Sequence, residues 1–311
     1  MERKLIKQGG GGYTIYLPKK WIDEKGLKGG ESIEVQEEDS SLIIRASSNT
    51  KSELTIEINE SNKKDLRILL THAYRRGIDK INIINLDNNS LNELKKIVSS
   101  LLLGFEITKK DEISGKNFKS VIIENLSEPT DQKFDVIMKR LLLLTSETIS
   151  FLNEECKKEK FSNINEMNDI RANHDRFLLF CRRLIAKGNV QGNPVLLWEF
   201  LTFLQHIEHG LYYLYVYLNE KRPKLGDKTI KLIIELGKYF SLLSEAFEEK
   251  DLEKVHILHN EARKYNFDII LKYLESSKGK ETVVLSYLRE IFRLIQISTS
   301  PILSMIVDKK N

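Results

Sequence analysis

Cysteine is scarce in this 311-residue chain: two residues, Cys156 and Cys181, with no close spacing. That argues against a disulfide framework and against a cysteine-based zinc site, and it fits a reducing compartment. An excess of one charge is also missing. Lys and Arg total 49 against 45 Asp and Glu, a net +4 at pH 7, too mild to name a polyanionic partner. Long hydrophobic runs are absent too. The most apolar stretch, Pro194 to Leu218, is broken by Glu199, Gln205, His206, Glu208 and His209. A membrane span wants roughly 20 nearly uninterrupted apolar residues, so this stretch reads as a buried bundle helix. The opening MERKLIKQGG lacks the apolar centre of a secretory signal. A cytoplasmic protein is expected.

What is present begins with four glycines, Gly9 to Gly12. A phosphate-cradling loop needs its glycines after a strand and at the start of a helix, whose N–H groups face the phosphates. Here they run into Tyr13-Thr14-Ile15-Tyr16-Leu17, an alternation of β-branched and aromatic residues that reads as a strand. No Gly-Lys-Ser/Thr follows. The glycines therefore predict a turn between two strands, Arg3–Gln8 and Tyr13–Leu17.

Three regions separate by pattern. Residues 1–46 continue with Pro18 at the first position of a short helix, Lys19–Lys25, closed by Gly26. Gly29-Gly30 turns into a strand at Ser32–Gln36, and Asp39-Ser40-Ser41 turns into another at Leu42–Arg45. So small a set of strands has too little core to stand alone, and pairing with a second copy would supply the rest. After a polar linker, residues 53–128 alternate strands (LTIEI, DKINII, FEITKK, KSVIIEN) with two helices ending at Gly77 and Gly104. That order predicts a small α+β layer with helices on one face. In it His72 reads as a helix-face histidine, and Arg75-Arg76 as favouring the helix C-terminal dipole. Residues 130–311 show long 3.6-residue periodicity, broken at 161–163, 188–194, 222–227, 249–252 and 276–279. Six helices of about 20 to 28 residues are expected, arranged as a duplicated set of three.

The residues of the first region carry a resemblance. GGGGYTIYLPKKWIDEKGLKGGESIEV followed by SSLIIRA resembles the AbrB/SpoVT/MazE type of domain. The shared features are the glycine turn, Leu17-Pro18, a basic short helix, Gly26-Leu27, Gly30-Glu31, Ile33 and Val35. The resemblance implies a swapped-hairpin dimer that binds DNA. Residues 1–20 hold Arg3, Lys4, Lys7, Lys19 and Lys20 against Glu2, whereas residues 31–39 hold five acids and no cation. Basic side chains beside a glycine turn suit phosphate contacts. Lys4, Lys7, Lys19, Lys20 and Tyr13 are therefore the candidate DNA-binding residues.

The helical region behind such a head is similar to the archaeal branch of the PhoU family, the phosphate-uptake regulators, which also carry a small α+β segment between the two parts. The expected fold is thus multidomain α+β: a swapped-hairpin head, a small α+β middle domain and a six-helix bundle of two three-helix repeats. PhoU bundles hold metal clusters through carboxylate pairs one helical turn apart. Here the four positions read Arg171…Asp175, Gln205…His209, Glu261…Tyr265 and Arg289…Arg293. No pair is intact, and a guanidinium repels a metal and pairs with the remaining acid. No metal and no cofactor is expected. A substitute site from His206/His209 and His256/His259, with Asp175 and Glu261, is the alternative; two histidine pairs on amphipathic helices is the plainer reading. The tyrosines of LYYLYVYL read as interhelical packing.

No nucleophile–base pair appears, and an enzyme is not expected. The resemblances together imply a dimeric transcriptional regulator of phosphate uptake. The rival is a dimeric adaptor whose bundle docks on a phosphate transporter or a sensor kinase without DNA binding.

Overall fold

The computed structural model describes residues 2–38, 41–46, 52–114, 117–127 and 132–308. The chain divides into two units, Met1–Ser52 and Glu53–Asn311. In the first, strands β1 (Ile6–Lys7) and β2 (Tyr13–Thr14) form an antiparallel hairpin pairing Ile6 with Thr14 and Lys7 with Tyr13. The turn closes with Gln8 N donating to Gly12 O at 2.8 Å. Gly10 and Gly11 have φ of 91° and 93°, a region that side-chain-bearing residues avoid. Helix α1 (Lys19–Glu24) follows Pro18, and β3 (Ile33–Glu38) pairs antiparallel with β4 (Ser41–Ala46). The strands are shorter at the hairpin than the sequence pattern predicts: the ladder consists of two residue pairs, Ile6–Thr14 and Lys7–Tyr13.

No described residue of this head is buried. Leu5, Tyr13, Tyr16, Val35 and Leu42 are each more than half exposed. Apolar side chains left in water are the opposite of what a stable isolated fold achieves.

The second unit begins with β5 (Glu53–Glu57), α2 (Leu66–Arg75), β6 (Lys80–Asp87), α3 (Asn88–Leu101), β7 (Phe105–Ser114) and β8 (Asn117–Asn125). The sheet order is β5-β6-β8-β7, with β5 parallel to β6 and the other neighbours antiparallel. Asp87 ends β6 and caps α3, accepting from Ser90 N at 2.7 Å, and it also pairs with Lys63. Seven helices follow: α4 (Gln132–Lys157), α5 (Ile164–Ala186), α6 (Pro194–Lys221), α7 (Asp227–Glu249), α8 (Leu252–Lys264), α9 (Ile270–Ser276) and α10 (Lys280–Ile297), with a final α11 (Thr299–Asp308). A π-helical turn, Tyr265–Ile269, joins α8 to α9, so the described breaks between long helical stretches fall where the Asn, Gly, Pro and Asp signals lie. Asn193 caps α6 by accepting from Val195 N and Leu196 N, with Pro194 at its first turn. Asp251 does the same for α8.

The α+β layer and the helices share one core. Helices α2 and α3 pack on α5, and apolar residues from Ile58 to Ile306 form a single cluster. The junction is polar at its centre. Arg183 of α5 is fully buried; its Nη1 donates to the carbonyls of Tyr74 (3.2 Å) and Ile78 (2.6 Å), and its Nη2 pairs with Asp79. Lys187 pairs with the same carboxylate, and the guanidinium lies 5.2 Å from the Tyr74 ring and 5.0 Å from Phe105. Gly77, at φ 87°, lets the chain pass where a Cβ would meet Lys187 Cγ at 3.1 Å. One helical stretch, Lys280–Val307, is long and apolar enough to cross a membrane, and more than half of that window is buried inside the unit.

Candidate functional site

Two places hold chemistry. In the head, Lys4, Lys7, Tyr13, Lys19 and Lys20 are all exposed. Lys7 and Tyr13 are directly opposed across the hairpin, so one cation and one ring sit side by side next to the glycine turn. Lys19 and Lys20 open α1, with Lys20 lying 3.8 Å from Glu24 one turn on. Both side chains of that pair are largely in water, so the interaction constrains neither. Such an array can meet a polyanion by charge and by close backbone approach.

The second place is a buried polar seam where α4, α5 and α6 meet. Glu208 of α6 is fully buried, and its Oε1 accepts from Thr148 Oγ1 of α4 at 2.9 Å. Its other oxygen has no partner. Burial, reinforced by the neighbouring Asp175 charge, pushes the Glu208 carboxyl up to about 8. His174 of α5 is also fully buried, and neither ring nitrogen is hydrogen-bonded. Burial holds this imidazole down at about 4, neutral at physiological pH. Toward the surface, Asp175 receives Arg67 at 3.6 Å, Arg171 at 4.0 Å and His209 Nε2 at 3.6 Å. Burial raises the Asp175 carboxyl, but His209, His174 and Arg171 outweigh it and hold the group below its usual value. Arg171 also stacks over Tyr212, 4.0 Å from the ring centroid. The seam thus places a neutral acid beneath an ionised one, an arrangement that can store or release a proton.

The residues at the sequence-derived metal positions go to separate partners here. Arg171 pairs with the acid that it accompanies in sequence, as its charge requires. His209 turns to Asp175, whereas His206, His256 and His259 are exposed, with His259 Nδ1 3.4 Å from Thr299 Oγ1. Glu261 accepts from the Tyr239 hydroxyl at 3.3 Å. Tyr265 stacks on Phe292, with centroids 4.9 Å apart. Arg289 Nε donates to Asn266 O at 3.3 Å, and Arg293 pairs with Glu290 at 3.0 Å. Among the described residues no group of three or more His, Cys, Asp and Glu is placed to hold a metal ion.

Sequence reasoning passed over Glu208 and His174, yet both leave a trace. Leu201, Leu204, Glu208, Leu211 and Tyr215 follow the 3–4 spacing of one apolar helix stripe, as do His174, Leu178, Cys181 and Ile185. A carboxylate inside such a stripe signals a buried acid. Arg183 carries no comparable sign, because its burial depends on the α+β layer.

Residues 6–52 match the family described as antidote-toxin recognition MazE, bacterial antitoxin. The head is therefore similar to domains of that family, and the match covers less than half of the chain. No curated protein and no solved structure matches the chain.

Proposed function

We propose that this protein is a dimeric, cytoplasmic DNA-binding transcriptional regulator without catalytic activity of its own. The match of residues 6–52 to a MazE-type domain, on a head whose candidate cations are all exposed, is the observation that carries this reading. The exposed Leu5, Tyr16, Val35 and Leu42 support a second copy closing over the head, the swapped-hairpin arrangement. In that dimer Lys4, Lys7, Lys19 and Lys20 become eight cations, flanking two glycine turns and two short helices. The helical unit relays a signal to the head. Phosphate status is the signal that the PhoU-like pattern of the helices favours, and it rests on that pattern alone.

Gel-shift titration against mixed promoter fragments tests the reading. If six or more phosphates are engaged, affinity falls by roughly 10³-fold or more between 50 and 200 mM salt. Lys19→Glu with Lys20→Glu is expected to abolish binding while the melting curve and the dimer are retained. Unchanged binding by this variant, or none at low salt, would instead make the head a dimerisation device. The protein is then an adaptor that docks on a phosphate transporter or a sensor kinase.

A further inference from the structure

One cavity of about 420 Å³ lies in the second unit, where the α4–α5 and α6–α7 turns lie side by side. Its size falls within the range of small-molecule sites. Lys160, Arg222 and Lys224 line it together with Glu159, and Phe161 and Leu225 supply apolar wall. The neighbouring Lys158 and Lys221 each pair with an acid, Glu154 and Glu220. The three cavity lysine and arginine side chains have no ion-pair partner among the described residues. Three cations and one carboxylate, Glu159, line the space, and the buried Glu155 carboxylate stands behind it on Ser162 N at 3.0 Å, which leaves the lining with an excess of positive charge.

The backbone points the same way. Among the described residues four non-glycine residues have positive φ, and two of them, Glu159 (49°) and Arg222 (41°), line this cavity. A left-handed residue is the ordinary way to end a helix, and Arg222 is the C-cap of α6. Glycine fills that conformation without steric cost, whereas arginine does not. Strain of this kind tends to persist where a side chain is needed for binding. Here the strained residue delivers a guanidinium, the group best shaped for bidentate contact with a phosphate.

We propose that this cavity binds a phosphate monoester on a small apolar body, its dianion held by Lys160, Arg222 and Lys224 and its apolar part set against Phe161 and Leu225. The inference goes beyond the DNA-binding reading and does not depend on it. Phenyl phosphate is the probe, titrated calorimetrically into the full chain without DNA, so that failure of this site and failure of DNA binding are read separately. Saturable binding of one equivalent per chain is expected, with inorganic phosphate weaker and phenol not bound. Lys160→Gln with Lys224→Gln changes only exposed side chains and is expected to weaken phenyl phosphate at least tenfold. Arg222→Gly keeps the helix cap, so it is expected to raise the melting temperature of the unliganded chain while lowering affinity to a similar extent. No saturable binding, or affinity unchanged in both variants, would overturn the proposal. So would binding to phosphatidic acid vesicles without binding of phenyl phosphate, which would make the cations a membrane-headgroup contact.

Discussion

The head and the second unit use apolar residues in opposite ways. The head leaves Leu5, Tyr13, Tyr16, Val35 and Leu42 mostly in water and buries none of its described residues. The second unit buries a continuous cluster from Ile58 to Ile306, and it also buries Arg183, His174 and Glu208 completely. A region of about 45 residues has too much surface for its volume to close a core alone, whereas one of about 250 residues has core to spare. The small unit therefore depends on association, and the large one tolerates polar groups inside it. That surplus of core is what allows an ion pair and uncompensated polar groups to sit within the second unit.

The widest test of this contrast is to separate the units. A chain lacking residues 1–46 is expected to stay folded and helical but to become monomeric by light scattering; a truncated chain that still dimerises would place an interface in the second unit. Next in size is the junction inside the second unit. Asp79→Ala strands the buried Arg183 charge and is expected to cost about 3–5 kcal/mol, seen as a fall of roughly 10 °C in melting temperature. Replacing both partners, Arg183→Met with Asp79→Leu, is expected to recover part of that loss: the pair's own desolvation cost vanishes with it, while the Tyr74 and Ile78 carbonyls lose their donor. DNA affinity measured below both melting points is expected to be unchanged by either variant.

The buried seam gives a smaller effect with a definite sign. Glu208 binds its proton more tightly when folded, so its contribution to stability is full below its unfolded pKa of 4.5 and is lost as pH rises toward about 8. His174 binds its proton less tightly when folded, so its contribution is full above 6.5 and is lost as pH falls toward about 4. The two oppose each other between 4.5 and 6.5. From pH 6.5 to 8 only Glu208 acts, and stability is expected to fall by roughly 1–2 kcal/mol. Denaturant titrations across that window check the slope, and Glu208→Gln is expected to flatten it while keeping the acceptor for Thr148. The smallest effect belongs to the head's surface. Lys20→Gln breaks an exposed pair with Glu24 and is expected to leave the melting curve unmoved. In the dimer it reduces the salt slope of DNA binding by about two, one phosphate per copy.

Local signals carried much of this architecture. The glycine turn, Pro18, Gly26 and the alternation around Ile33 and Val35 marked the head, because turn geometry and strand period are written in neighbouring residues. The Asn, Pro, Gly and Asp breaks marked the long helices for the same reason. Glu208 and His174 were legible in principle from the apolar stripes they interrupt. What the sequence could not state is which helices meet. Thr148 reaches Glu208 only because α4 packs on α6, and His209 turns to Asp175, not to another histidine, because α5 is its neighbour. Arg183 was beyond reach for a further reason: its carboxylate, Asp79, lies 104 residues away in sequence, with β6, α3, β7, β8 and α4 between them. Periodicity and capping are short-range properties of the backbone, so the sequence by itself determined the elements and their ends. Burial, ion pairing and the cavity between the α4–α5 and α6–α7 turns depend on distances between remote segments, and those the tertiary structure alone decided.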